Sequence, residues 1–443
     1  MIKFTQLIFV KGEVYMLSNE IVKTYEDILI EELQVAMGCT EPIAIAYAAA
    51  ISRDALGKLP ETVVIRLSGN IIKNVKSVIV PSTGGMHGIE SAVAAGVVSN
   101  RYDLKLELLS VLGDNDIDAI KNYKENAQII LEELESPCNF DLFIKALSGD
   151  DKVKVRISDY HTNVVYVERN GEDITNTYRN EEQEIGKSLK NADRSLLNVK
   201  DIVEFAETVD LTRIKPFVER QIEMNMEIAN EGLTNDYGAT IGKILYQNGN
   251  APIKEKLKAY AAAGSDARMS GCELPVCIIS GSGNQGITAS VPVVIYGKEN
   301  NIEYDKMLRA VLVSDLVTIH QKTGIGTLSA YCGAISAGVG AGAGISYLQG
   351  GSYNTIAHTI VNAVAILSGT ICDGAKASCA AKIAMAVEAG LVGCEMANAN
   401  KQFYGGDGIV TKGVENTIRN VGLLARDGMS ETDKEIIKIM LGK

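Results

Sequence analysis

The sequence predicts an α+β protein: a mixed α/β N-terminal part with β-hairpins, followed by a larger, mainly helical part rich in Gly and Ala. Three observations predict it. Runs of β-branched residues are confined to about 60–180, and helical patterning extends from about 200 to the end. The 443 residues also include 42 Gly, no Trp and only 5% aromatics. A core of Gly, Ala, Ser and small aliphatics suits closely packed helices and backbone brought near a ligand. Length alone suggests two or three domains. The expected divisions are an N-terminal extension at 1–15, a mixed part at 16–190 and a helical part at 191–443.

MIKFTQLIFVKGEVYML has two Lys, a short apolar run and no small-residue cleavage site, so it makes a poor signal peptide. Met16 leads into a capped helix and is the expected start. Residues 20–57 read as helical through YEDILIEELQVAM and PIAIAYAAAISRDAL. TVVIRLSGNIIKNVKSVIV reads as a hairpin turning at Gly69-Asn70. A helix follows PSTGGMHG. DLKLELLSVLG and KVKVRISDYHTNVVYVERNGEDI supply further strands, with turn signals at Asp159 and Asn170-Gly171. Residues 181–200 are polar and charged, as in a linker. The remainder is helical except for a short apolar run near 288–296, and Thr432-Asp433-Lys434-Glu435 reads as a capping box.

At 46% hydrophobic and 22% charged, the chain is globular rather than disordered, collagen-like or coiled-coil. A net charge of −12 with no basic run argues against nucleic acid as a partner. From Thr323 to Cys372 there is no Asp, Glu, Lys or Arg, which is long enough for two membrane spans. That stretch is broken by GIG, GVGAGAG and LQGGS and is apolar mainly through Ala and Gly, so buried helices and no membrane are expected. Eight cysteines without an export signal read as reduced thiols, metal ligands or catalytic groups in a cytoplasmic protein. Size and Gly/Ala-rich helices are compatible with a homodimer.

Five Gly-containing segments carry the reactive residues. In Gly38-Cys39-Thr40-Glu41-Pro42, Pro42 opens a helix, and a thiol at a helix N-terminus is acidified toward a nucleophile or base. An inert buried Cys39 is the alternative. Pro81-Ser82-Thr83-Gly84-Gly85-Met86-His87-Gly88, between a strand and a helix, offers backbone amides, the hydroxyls of Ser82 and Thr83, and His87. It suits a carboxylate as well as a phosphate, or is an ordinary turn. Ser280-Gly281-Ser282-Gly283-Asn284-Gln285-Gly286 is a second such loop, presenting Asn284 and Gln285. Cys332 lies in YCGAISAG, and Cys372 and Cys379 bracket DGAKAS, two helical turns apart. Three thiolates converging from these segments can hold an iron–sulfur cluster, although the spacing matches neither ferredoxin nor CxxC zinc patterns. Core thiols in a small-residue bundle would look the same. Cys272 and Cys277 form a rival pair, and Cys138 and Cys394 read as structural or surface thiols.

Taken together, GCTEP, PSTGGMHG, SGSGNQG, the Cys332 segment, CDGAKASC and the ending GIVTKGVENTIRNVGLLARDGM resemble the L-cysteine desulfidase family, the UPF0597 group. That family is related to the α chain of iron–sulfur L-serine dehydratases. The resemblance runs from about Ile21 to Met429. It implies a helical catalytic part folded like that α chain, and an oxygen-sensitive [4Fe-4S] cluster held by Cys332, Cys372 and Cys379. It further implies Cys39 as base and L-cysteine conversion to pyruvate, sulfide and ammonium without pyridoxal phosphate. Removing an α-proton needs an electron sink or a Lewis acid, and an open iron that also takes a soft sulfur leaving group satisfies this. Ser82, Thr83, Gly84, Gly85, His87, Asn284 and Gln285 are then expected to bind the substrate's charged groups. Lys376 and Asp373, between two of the thiols, would tune the cluster or form an exposed face. An iron–sulfur L-serine dehydratase, a pyridoxal-phosphate lyase using Lys376, and a non-catalytic amino-acid-binding protein are the competing readings.

Overall fold

The computed structural model describes residues 17–38, 40–136, 138, 140–179, 192–326 and 329–442. The proposed extension at 1–15, most of the proposed linker and Cys39 lie outside the described residues. Ser18 caps α1 (Asn19–Glu32) by accepting from the Ile21 amide at 3.3 Å. A short strand, β1 (Gln34–Met37), pairs antiparallel with β8 (Pro275–Ile278), placing Val35 opposite Cys277. Tyr25, Ile28 and Leu29 of α1 join the core of the helical part, where Tyr25 packs its ring on Phe205. The first helix and strand therefore belong with the distant helical residues.

The mixed part comprises α2 (Thr40–Leu56), β2 (Thr62–Leu67), α3 (Gly69–Val75), α4 (Gly88–Ser99), α5 (Asp114–Asn126) and the strands β3 (Gln128–Glu133), β4 (Asp141–Ser148), β5 (Asp151–Ser158), β6 (Val164–Arg169) and β7 (Glu172–Asp173). One sheet runs β3-β2-β4-β5-β6-β7, with β2 and β3 parallel and the other pairs antiparallel. Asn170 and Gly171 both take positive φ (51° and 94°) and close the β6–β7 hairpin, the geometry that this dipeptide favours. The expected hairpin at Gly69-Asn70 is absent. Both edges of β2 are already occupied by β3 and β4, so the next residues coil into α3 and bury Ile71, Ile72 and Val75. DLKLELLSVLG is likewise no strand: Lys105 has φ 50°, which breaks the extension, and Leu108 and Leu109 turn inward.

The helical part contains α6 (Val199–Thr208), α7 (Lys215–Thr234), α8 (Ile241–Tyr246), α9 (Ile253–Met269), α10 (Gly283–Glu299), α11 (Tyr304–Ile325), α12 (Gly333–Leu348), α13 (Tyr353–Leu367), α14 (Cys379–Asn398), α15 (Val414–Leu423) and α16 (Ser430–Leu441). The apolar run at 288–296 lies inside α10, whose burial on every side erases the amphipathic period. The uncharged stretch builds the end of α11, then α12 and α13. Among the described residues, no helix is long and apolar enough to cross a membrane. α12 runs through the middle of the core, and a Cβ on Gly342 would lie 2.6 Å from the Gly390 carbonyl of α14. Only small residues permit that approach. The supposed capping box falls within α16, which begins at Ser430; Asp433 is instead engaged by Lys73 at 2.5 Å.

Asp315 of α11 is completely buried, accepts from Gln221 Nε2 at 3.0 Å, and is pushed up to about 8 by burial. The unfolded chain releases this proton near the ordinary value of about 3.9. The stability that the retained proton contributes is therefore lost as pH rises toward 8. Asp315→Asn should flatten the fall in unfolding free energy between about pH 5 and pH 8, as measured by denaturant titration. A variant with the wild-type slope would contradict this.

Candidate active site

Two backbone hydrogen bonds bring the first pair of thiols together. The Cys332 amide donates to the Thr370 carbonyl (3.0 Å) and the Cys372 amide to the Ala330 carbonyl (2.6 Å), a bridge centred on Tyr331 and Ile371. Cys332 then caps α12 and Cys379 starts α14, so two helix N-termini open toward the same space. Between them the chain reverses at Gly374 with φ 98°, where a Cβ would collide with the Lys73 carbonyl. The Cys379 thiol donates to the Gly374 carbonyl at 3.7 Å.

All three thiols line one cavity of about 430 Å³. Its other wall comes from the mixed part: Glu41 of α2, Lys73 and Asn74 of α3, and Cys138, Phe140, Asp159 and His161 near the sheet. The helical part adds Arg268, the loop Ser280–Gln285, Lys322 and Tyr331. The cavity thus lies where the two cores meet. Lys73 reaches across this junction to Asp433 of α16 and to the Ser329 carbonyl (3.4 Å).

Burial dominates the electrostatics of the thiol side of the cavity. Burial, then the neighbouring Cys372, pushes the Cys332 thiol up to about 12, and burial raises Cys379 as well. Lys322 is only 4% exposed, and its amino group has no hydrogen-bond or ion-pair partner among the described residues. Burial lowers it to about 8, against the attraction of Cys372 and Cys332. Asp373 is tied to Lys376 and Lys382 at 2.5 Å each. Burial works to raise its carboxyl, but those two bonds outweigh it and hold it at about 2. Opposite the thiols, Glu41 accepts from Asn74 Nδ2 at 3.0 Å and from the Thr40 hydroxyl at 3.2 Å.

The loop after β8 is held by Glu32, whose carboxylate accepts the Ser280 amide (2.9 Å) and pairs with Arg194. Ser280 adopts φ 48°, and Ser282 caps α10 so that Asn284 and Gln285 form its first turn. Gln285 Oε1 is buried without a partner among the described residues.

The expected site residues divide accordingly. Cys332, Cys372, Cys379, Asn284 and Gln285 share the cavity. Ser82, Thr83, Gly84, Gly85 and His87 are not on its wall. The Thr83 hydroxyl is bonded to the Val80 carbonyl at 2.7 Å, and Gly84, Gly85 and His87 are exposed. Their loop closes an Ile79–His87 bridge and packs Pro81 against Gly38. Cys39 itself is outside the described residues, although Glu41 from the same motif lines the cavity. The rival Cys272 and Cys277 are buried in the helical core away from this wall, whereas Cys138, read as structural, lines it. The cysteines among the described residues are all free. Sequence reasoning missed Lys73, Arg268 and Lys322. Their available signal was a charge set in, or bordering, an otherwise small and apolar helix.

A fold with a helical half around this cavity is the serine dehydratase type: the profile of the serine dehydratase alpha chain matches residues 103–438, and the chain belongs to that family. Membership points to a lyase-type enzyme acting on an amino acid. Relatives include a UPF0597 protein of Desulfitobacterium hafniense, 53% identical over 95% of this chain and 97% of its own. A UPF0597 protein of Finegoldia magna is 47% identical over 95% and 100%. One of Bacteroides fragilis is 36% identical over 93% and 96%.

Gly374→Ala combines backbone strain with a clash at the Lys73 carbonyl. It should cost about 1–3 kcal/mol and lower the melting temperature. A variant melting as the wild type would show that the turn tolerates a side chain.

Proposed function

We propose that this protein eliminates sulfide from L-cysteine, giving pyruvate, hydrogen sulfide and ammonium, with a [4Fe-4S] cluster and without pyridoxal phosphate. The observation that carries the reading is the convergence of Cys332, Cys372 and Cys379 on one cavity with the buried Lys322. Iron–sulfur dependence is general in the serine dehydratase alpha-chain family. Among the described residues, no three His, Cys, Asp or Glu side chains are disposed to hold a single metal ion. Thiols of a cluster each bind their own iron, and three thiols lining one cavity are the donor type that such a group takes. The helix N-termini at Cys332 and Cys379, with Lys322, offset the negative charge such a group brings.

When bound, the cluster supplies an open iron that polarises the substrate and accepts its sulfur. Cys39, the residue before α2 in the sequence, takes the α-proton. The electron pair left on Cα forms the Cα–Cβ double bond as the Cβ–S bond breaks, releasing sulfide and aminoacrylate. Water then converts aminoacrylate to pyruvate and ammonium. Asn284 and Gln285 present amides to the substrate's polar groups, and Glu41 lies within reach of a cationic one. The Ser82–His87 loop acts indirectly, by packing against Gly38, the residue before Cys39 in the sequence. Lys73, fixed by Asp433, keeps the mixed part seated over the thiols.

The family match also favours a second reading, L-serine dehydration on the same groups, with hydroxide leaving instead of sulfide. Protein reconstituted with iron without oxygen, given each amino acid in turn, should release pyruvate and sulfide one to one from L-cysteine and lose this activity in air. Pyruvate from serine alone would select the dehydratase, and no product from either amino acid in iron-loaded protein would defeat both. Cys39→Ser should lower kcat roughly 10²- to 10⁴-fold, the range for a proton-transfer group, with the cluster absorbance retained. Wild-type kcat would remove Cys39 from the mechanism.

A further inference from the structure

Arg268 is the last charged residue of α9, in an Ala-rich helix, and it points away from the bulk solvent: it is 5% exposed and lines the cavity. A buried guanidinium is normally held by a carboxylate. This one has none. A terminal nitrogen donates to Asn284 Oδ1 at 3.4 Å, and its Nε has no partner among the described residues. The guanidinium lies against the backbone of the Ser280–Gln285 loop, where a Cβ on Gly283 would collide with Nε and lie 2.9 Å from Cζ. Gly283 therefore leaves the space in which the fork rests. The result is a planar, nine-tenths-buried donor set, open to a cavity and lacking an anion.

We infer that Arg268 is the anchor for the substrate's α-carboxylate, with Asn284 beside it, and that Gly283 positions the guanidinium. The inference rests on the reading of the cavity as an amino-acid site. It assigns the carboxylate to a group on α9 and not to the Ser82–Gly85 loop, which is off the wall. Arg matches a carboxylate with two parallel N–H bonds, a geometry that Lys cannot reproduce. Lys322, the other buried cation with no hydrogen-bond or ion-pair partner among the described residues, lines the cavity near Cys332 and Cys372 and so belongs to the thiol side. The carboxylate end and the leaving-group end of the substrate are thereby separated across the cavity. Substrates are limited to small amino acids with a free carboxylate.

The test uses iron-loaded protein and L-alanine, which has no leaving group and cannot be eliminated, with L-alaninamide as the probe lacking the carboxylate. Anaerobic calorimetry should show L-alanine binding more tightly than the amide in the wild type. Arg268→Met should weaken L-alanine on the order of 10- to 100-fold, the loss of charge-assisted hydrogen bonds, and should erase the preference over the amide, with iron content unchanged. Arg268→Lys, which keeps the charge and loses the fork, should recover only part of it and serves if the Met variant does not fold. Gly283→Ala should weaken L-alanine with Arg268 still present. A wild-type preference in Arg268→Met, or no L-alanine binding by the wild type, would overturn the assignment. Arg268-dependent binding by a protein that turns over neither cysteine nor serine would sustain the anchor while the catalytic reading fails.

Discussion

The two backbone bonds joining Cys332 to Thr370 and Ala330 to Cys372 are the constraint on which the site depends. The loops they connect are otherwise separated by the whole of α12 and α13. That bridge ties the segment carrying Cys332 directly to the one carrying Cys372. With it in place, α12 and α14 begin near one another and pack together, and their N-terminal ends meet the cavity at Cys332 and Cys379. The site is an outcome of how two helices begin, and the chemistry of thiols and of helix N-termini is combined in one place.

The unusual composition follows from the same requirement. Helices that start side by side must pass close to each other, and α12 meets α14 at Gly342 and Gly390, where larger side chains have no room. The small side chains at these contacts accord with a chain that has 42 Gly and no Trp. The mixed part covers them. Lys73 is held by Asp433, and its carbonyl abuts Gly374, so the sheet-bearing half touches the turn between two of the thiols. That half completes the cavity by contributing Glu41, Asn74 and His161.

Much of this was legible in the sequence where the signal was local. Asn170-Gly171 specified its hairpin because both residues tolerate positive φ. The seven-residue spacing of Cys372 and Cys379 suggested one helix face, but α14 begins only at Cys379 and the chain between the thiols turns at Gly374; Asn284 and Gln285, expected on a loop, form the first turn of α10. Non-local competition was not legible. Gly69-Asn70 has the composition of a hairpin turn, yet the sheet had no free edge for it. The Ser82–His87 loop has the composition of an anion cradle, but its Thr83 hydroxyl is occupied by its own backbone. Arg268, Lys322 and Lys73 are single charges on three elements far apart in sequence, and only their common burial against one cavity sets them apart from surface residues.

The central claim is that three thiols of this chain hold a cluster with one iron free of protein ligand. Mössbauer spectroscopy of the anaerobically reconstituted protein, with iron and sulfide counted per chain, tests it most directly. The account predicts a four-iron, four-sulfide cluster in which one iron is spectroscopically distinct and changes on addition of L-cysteine. A mononuclear iron, a two-iron cluster, or four equivalent irons unmoved by the amino acid would contradict it.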